Sequence, residues 1–141
     1  MSVSRNAARL AALRGVGLFG RLDRRTIQEL NNRAREHPFA AGAVLVQQGE
    51  PGDSLCILLE GRAEVRLQGR TIDAIGPGDY FGEMSLVDGE PRSATIVATE
   101  DGLLLCIAAS DFDALLNLPY VAREVIRCLS ARVRELHGKT T

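Results

Sequence analysis

Between Phe81 and Thr95 the chain reads Phe-Gly-Glu-Met-Ser-Leu-Val-Asp-Gly-Glu-Pro-Arg-Ser-Ala-Thr. Gly82 and Glu83 stand at the head of a short helix-like run, and Arg92 follows nine residues after Glu83. A helix start offers free backbone N–H groups and the positive end of a dipole, so it attracts anions. Gly82 has no Cβ, which lets a ligand approach the main chain closely. Arg92 can meet phosphate oxygens with its planar guanidinium, and the Ser93 hydroxyl can donate one further bond. Glu83 would repel a phosphate beside it unless a neutral donor intervenes, and a sugar hydroxyl is such a donor. A single arginine with a helix start is proportionate to a single negative charge. A nucleoside triphosphate would ask for a Gly-x-x-x-x-Gly-Lys-Ser loop and magnesium ligands, and neither is present. The chemistry of the stretch is that of holding a small, singly charged phosphate next to a sugar hydroxyl.

Each of these residues also has a plainer role. Glu83 would gain up to about 1 kcal/mol as a first-turn helix acid with no ligand at all. Arg92 on its own would fit a surface ion pair with Glu83 or Glu90. Its place just after Pro91, at that spacing from Gly82-Glu83, favours the phosphate. Ser93 serves equally well as a solvent-facing strand residue.

The elements that must position these groups read as helix, many short strands, then helix. Residues 4–14 are rich in Ala and Leu and end at Gly15. Asp23 is placed to cap a second helix with Ile27 and Leu30 on its buried face, and Pro38 closes that region. From 39 to 108, glycines recur between short Val/Ile/Leu-rich runs at 44–46, 55–59, 63–67, 71–75, 95–99 and 103–107. Such spacing predicts an antiparallel barrel or jelly roll. Gly69-Arg70 fits a hairpin tip. Ser110-Asp111-Phe112-Asp113 has the shape of a capping box, Pro119 opens a last helix to about Leu136, and Gly138 ends it. The expected organisation is one α+β domain: an N-terminal helical segment 1–37, a β-barrel 38–109 carrying the segment 81–95, and hinge and lid helices 110–137.

At about 100° per residue, Val121, Val125, Cys128, Leu129 and Leu136 share one side of the last helix. Arg132 falls on that side too, whereas Arg123, Arg127 and Arg134 group on the opposite, solvated face. A charge inside an apolar stripe needs a partner or must snorkel at its edge. A guanidinium stacked on a flat base is one such partner.

The segment 81–95 resembles the phosphate-binding cassette of cyclic nucleotide-binding domains. So do the turns and strands around it: Gly49-Glu50-Pro51-Gly52-Asp53, Leu58-Leu59-Glu60-Gly61, Gly76-Pro77-Gly78-Asp79-Tyr80-Phe81-Gly82-Glu83, Arg92-Ser93-Ala94-Thr95 and Asp111-Phe112. The pattern is closest to bacterial cyclic nucleotide-gated channel domains and to the ligand domain of catabolite activator-type regulators, and covers about residues 16–136. The resemblance implies a jelly-roll barrel flanked by N-terminal helices and C-terminal lid helices, with a short phosphate-binding helix inside it. It implies binding by Phe81, Gly82, Glu83, Met84, Ser85, Arg92, Ser93, Ala94 and Thr95, with Glu83 on the ribose 2′-hydroxyl. Val65, Ile72 and Ile75 match positions that line the purine, and they are equally compatible with plain core. Arg132 matches an arginine that caps the base in the channel domains, while Leu136 and His137 are weaker lid candidates. The implied function is a sensor that binds cAMP, or else cGMP, without covalent chemistry and closes its last helix over the base. Expected partners beyond the nucleotide are a protein effector or a second copy through the terminal helices.

Other classes fit less well. A pure interaction module on the same fold would have no need of Glu83, Arg92 and Ser93. A DNA-binding regulator would continue into a helix-turn-helix, and the chain stops at residue 141. A cupin-type metalloenzyme wants clustered histidines and acids, but His37 and His137 are the only histidines and lie outside the expected strands. No enzyme, cofactor or metal is therefore expected. A balance of 17 basic and 18 acidic residues gives no footprint for nucleic acid or an anionic membrane. No apolar run approaches the roughly 20 residues of a membrane helix, and the start lacks a signal-peptide core. A cytoplasmic chain is expected, as a small complete protein or a piece of a larger one. Cys56, Cys106 and Cys128 show no Cys-x-x-Cys pair, and the first two read as small core residues in apolar runs.

Overall fold

The computed structural model describes residues 3–83 and 85–136, without the side chains of Val3, Ser4 and Arg132. Local signals set the first helices. The Ala/Leu-rich α1 (Val3–Arg14) stops at Gly15, and a 3₁₀-helix (Gly17–Phe19) follows. Asp23 caps α2 (Arg24–Arg33) by accepting from the Thr26 N–H at 2.8 Å, and the Thr26 side chain first and its backbone N–H second hold the Asp23 carboxyl below its ordinary range. Ile27 and Leu30 are fully buried, as the pattern requires.

β1 (Arg35–Phe39) begins directly after α2, so the strands start ahead of Pro38 and not after it. β1 is an edge strand, and a proline there costs the least ladder pairing. Then come β2 (Val44–Val46), β3 (Ser54–Glu60), β4 (Ala63–Leu67), β5 (Arg70–Ile75) and β6 (Tyr80–Phe81), followed by the one-turn helix α3 (Ser85–Asp88). β7 (Thr95–Ala98), β8 (Gly102–Ala108), α4 (Ala109–Leu116) and α5 (Pro119–Leu136) complete the order. Pro119 occupies the first helical position, where its missing N–H is not needed. The expected stop at Gly138 lies outside the described residues.

The strands form two antiparallel four-stranded sheets, β1-β8-β3-β6 and β2-β7-β4-β5, packed as a jelly roll and not closed into one barrel. β3 and β8 are apolar almost throughout because both of their faces are covered. Leu55, Ile57, Leu105 and Ile107 face the helices, joined by Leu13, Phe19, Leu30, Leu86, Phe112 and Val121. Cys56, Leu58 and Leu104 point the other way, between the sheets, with Phe39, Leu45, Ile75 and Phe81. α3 packs on β3 and α4 through Leu86.

Two local expectations shift. The β4–β5 turn is Gln68-Gly69, with φ of 52° and 77°, and Leu67 pairs with Arg70. Both central residues are left-handed, as a type I′ turn demands, so Arg70 is already in the strand. The capping box at Ser110 does not form. α4 starts at Ala109 with Ala108 as an N-cap that makes no side-chain bond, and Asp111 in its first turn pairs with Arg33 at 3.4 Å.

Candidate functional site

The site grows from the junction of β6, α3 and the start of β7. Gly82 carries a φ of +83°, which a residue with a Cβ rarely adopts. A Cβ there would also collide with Arg92 Nη1 and the Ser54 carbonyl. Glycine is thus required for the arginine to lie across the main chain, whatever ligand approaches.

Arg92 is held from both ends. The Gly49 N–H donates to the Arg92 carbonyl at 2.9 Å, and the Arg92 N–H donates to the Glu50 carbonyl at 2.9 Å. Its Nη2 donates to the Ser54 carbonyl at 2.9 Å and reaches the Ser54 hydroxyl at 3.4 Å. The other guanidinium nitrogen, Nη1, is buried and has no hydrogen-bond partner among the described residues. A buried donor left in that condition costs about 1–3 kcal/mol unless an acceptor arrives.

Glu83 is 8% exposed, and its Oε2 accepts from the Leu18 N–H of the 3₁₀-helix at 3.0 Å. Beside it the Tyr80 hydroxyl accepts from the Gly17 N–H at 3.2 Å. The carboxylate expected to hold a sugar is therefore also tied to the N-terminal helices. α3 is a single turn, so its dipole is small and most of the positive charge comes from Arg92.

These groups line a pocket of about 510 Å³, within the usual range for small-molecule sites. Phe81, Gly82, Glu83, Ser85, Arg92, Ser93 and Ala94 line it together, and Val65 and Ile96 supply apolar wall. Asp88 and Glu90 lie on the exposed rim, where water screens their charge.

Three expected wall residues are elsewhere. The Thr95 hydroxyl accepts from the Gln48 N–H at 3.0 Å and from Gln47 Nε2 at 3.2 Å, and strand alternation gives the wall to its neighbours Ala94 and Ile96. Ile72 is 57% exposed. The pairing jumps from Val65–Asp73 to Arg66–Thr71, leaving Ile72 as the extra residue of a bulge on the outer strand of its sheet. Ile75 belongs to the cluster between the sheets.

No described residue of α5 lines the pocket. Val121 and Val125 are buried against the body, where α5 packs on the 3₁₀-helix and α4. Leu136, expected near a base, is 86% exposed, and Arg123, Arg127 and Arg134 are exposed as their face requires. Met84, His137 and the Arg132 side chain lie outside the described residues. Sequence reasoning missed Leu18, Tyr80 and Ser54. Leu18 acts through its N–H and Ser54 mainly through its carbonyl, groups every such residue carries, so residue type gave no signal.

Among the described residues no group of three or more His, Cys, Asp or Glu could hold a metal ion, and no helix is long and apolar enough to cross a membrane.

The sequence model of the cyclic nucleotide-binding domain matches residues 36–118. The chain is 37% identical over 112 residues to a cyclic nucleotide-gated potassium channel of Rhizobium etli, covering 79% of this chain and 31% of the channel. It is 40% identical over 105 residues to the cyclic AMP receptor protein of Thermus thermophilus, covering 69% of this chain and 48% of the receptor. It thus spans less than half the length of either relative. Among solved structures, the N-terminal domain of a transcriptional regulator from Streptomyces coelicolor superposes with a TM-score of 0.82 at 32% identity, over 92% of this chain and 97% of that one. With the family match extending over more than half its length, and with the arginine, the acid and the glycine gathered on one pocket, the chain belongs to the cyclic nucleotide-binding domain family.

Proposed function

We propose that the chain is a cyclic nucleotide sensor, with cAMP as its preferred ligand, that binds without covalent chemistry and changes the hold on its N-terminal helices. The observation that carries this reading is Arg92 Nη1, a buried donor without an acceptor among the described residues, in the wall of a pocket that Glu83 and Ser93 share. A cyclic phosphate supplies the acceptor and one compensating charge. The ribose 2′-hydroxyl donates to Glu83, and a 2′-deoxy analogue would lack that bond. The cAMP preference draws on the likeness to a cyclic AMP receptor protein.

Isothermal titration of the nucleotide-stripped chain with cAMP, and separately with cGMP, tests this. Saturable binding at one site per chain, stronger for cAMP, is expected. No heat and no shift in melting temperature with either ligand would leave a constitutive interaction module on the same fold.

The bond between Glu83 and the Leu18 N–H supports a switch. A ribose drawing on the carboxylate weakens its grip on the 3₁₀-helix, against which α5 packs. The change occurs only if the nucleotide favours the released state over the held one. Saturating cAMP should therefore speed hydrogen exchange at the Leu18 amide, and an unchanged rate at full occupancy would remove the switch.

A second copy is the partner that α5 fits best. Ile126, Val133 and Leu136 are 61%, 52% and 86% exposed and, with Leu129, follow heptad spacing. Sedimentation velocity at rising concentration should show a dimer, and a monomer throughout would discard this pairing.

A further inference from the structure

Cys56 on β3 and Cys106 on β8 are directly opposite in the antiparallel ladder, and both side chains turn into the space between the sheets. Their sulfurs are 2.6 Å apart, with the Cys106 S–H directed at Cys56, and both cysteines are free. Opposite residues in such a ladder hold their Cα atoms about 4.5–5.5 Å apart. A disulfide accepts roughly 4.4–6.8 Å. Oxidation would thus form a bond without moving either strand far.

The pair can be reached. A cavity of about 650 Å³, separate from the cassette pocket, has both cysteines, Ser54 and Leu104 in its wall and Arg35 and His37 of the edge strand on its border. It is ample for a hydroperoxide. Cys128 on α5 is free and packs against the helix-side core, away from the cluster between the sheets.

The two sulfurs also differ in character. The Cys106 S–H bond draws the Cys56 thiol below its ordinary range, helped by the Ser54 hydroxyl at 3.8 Å and the Arg92 charge, against burial and Asp53. The same bond, with burial, pushes Cys106 up. One sulfur is set to attack and its neighbour to follow.

We propose that Cys56 and Cys106 are a modification site, a dithiol that a hydroperoxide converts reversibly into a cross-strand disulfide. The Cys56 thiolate attacks a peroxide oxygen, the O–O bond breaks, and Cys56 becomes a sulfenic acid as water or alcohol leaves. The Cys106 sulfur then attacks the Cys56 sulfur, the S–O bond breaks, and the departing hydroxide leaves as water with the Cys106 proton. Two thiols lose two electrons and two protons, and the peroxide is reduced. A dithiol reductant reopens the bond by thiol–disulfide exchange.

The test is hydrogen peroxide titration of the reduced full chain, followed by alkylation and peptide mass mapping. The expected product has lost the mass of two hydrogens, links the Cys56 and Cys106 peptides, keeps Cys128 alkylatable and reverts with dithiothreitol. Cys106→Ala should leave Cys56 as a sulfenic acid that dimedone traps. Full alkylation of all three cysteines after oxidation, or a link through Cys128, would overturn the proposal. The wild-type mass map decides this even if the variant fails to fold.

Discussion

Arg92→Ala is expected to weaken cAMP binding by at least about 100-fold, near 2.7 kcal/mol, while leaving the fold largely intact. The two effects separate because the arginine's two nitrogens have different partners. Nη2 bonds to Ser54, and losing that bond costs about 1 kcal/mol of stability. Nη1 has no protein partner among the described residues, so its removal costs the fold little and relieves it of a buried donor. A cyclic phosphate would lose its charge-assisted bonds and the one cation that lines the pocket among the described residues. Arg92→Lys restores charge without the planar fork and should recover only part of the affinity. Calorimetry paired with thermal melting checks this. Equal affinity in the alanine variant would remove the phosphate site, and a collapse in melting temperature would make Arg92 chiefly structural.

Arg9→Ala should lower stability by about 3 kcal/mol and the melting temperature by on the order of 10 °C. Arg9 is 6% exposed although it sits on an Ala/Leu-rich helix. Its Nε donates to Asn31 Oδ1 at 2.8 Å, and its Nη2 donates to the Asn31 and Ala34 carbonyls at 2.7 and 2.9 Å. Its Nη1 meets Glu36 Oε2 at 3.0 Å. Those carbonyls belong to the end of α2, where helix geometry leaves them unpaired. Removing the guanidinium orphans them in a buried place and takes a counter-charge from Glu36. Lysine at this position keeps the charge but cannot reach all four acceptors that the flat fork meets, so Arg9→Lys should recover less than half of the loss. Thermal and denaturant unfolding measure both variants. A loss under about 1 kcal/mol for Arg9→Ala would mean that water replaces the clamp.

The chain carried much of its fold in local signals. The cap at Asp23, the proline at 119 and the continuous apolar runs of β3 and β8 are short-range features, and their elements stand where the residues put them. The core of the candidate site was legible for a similar reason. Gly82, Glu83, Arg92 and Ser93 lie within twelve residues of one another, so one turn of helix and a short loop bring them to one pocket. The wall was less legible. A bulge at Val65–Arg66 turned Ile72 out to solvent, and residue type does not announce a bulge. Thr95 reads as a pocket residue until the turn at Gln47–Gln48 takes its hydroxyl.

What the sequence by itself determined is the order of elements and the charge chemistry of residues 81–95, because both depend on neighbours along the chain. Only the tertiary structure decided that Glu83 holds Leu18, that Arg9 closes the end of α2, and that Cys56 faces Cys106. These contacts join residues 65, 22 and 50 positions apart. Two of them end on backbone groups common to nearly every residue, and the third depends on strand register, so none leaves a mark in residue spacing.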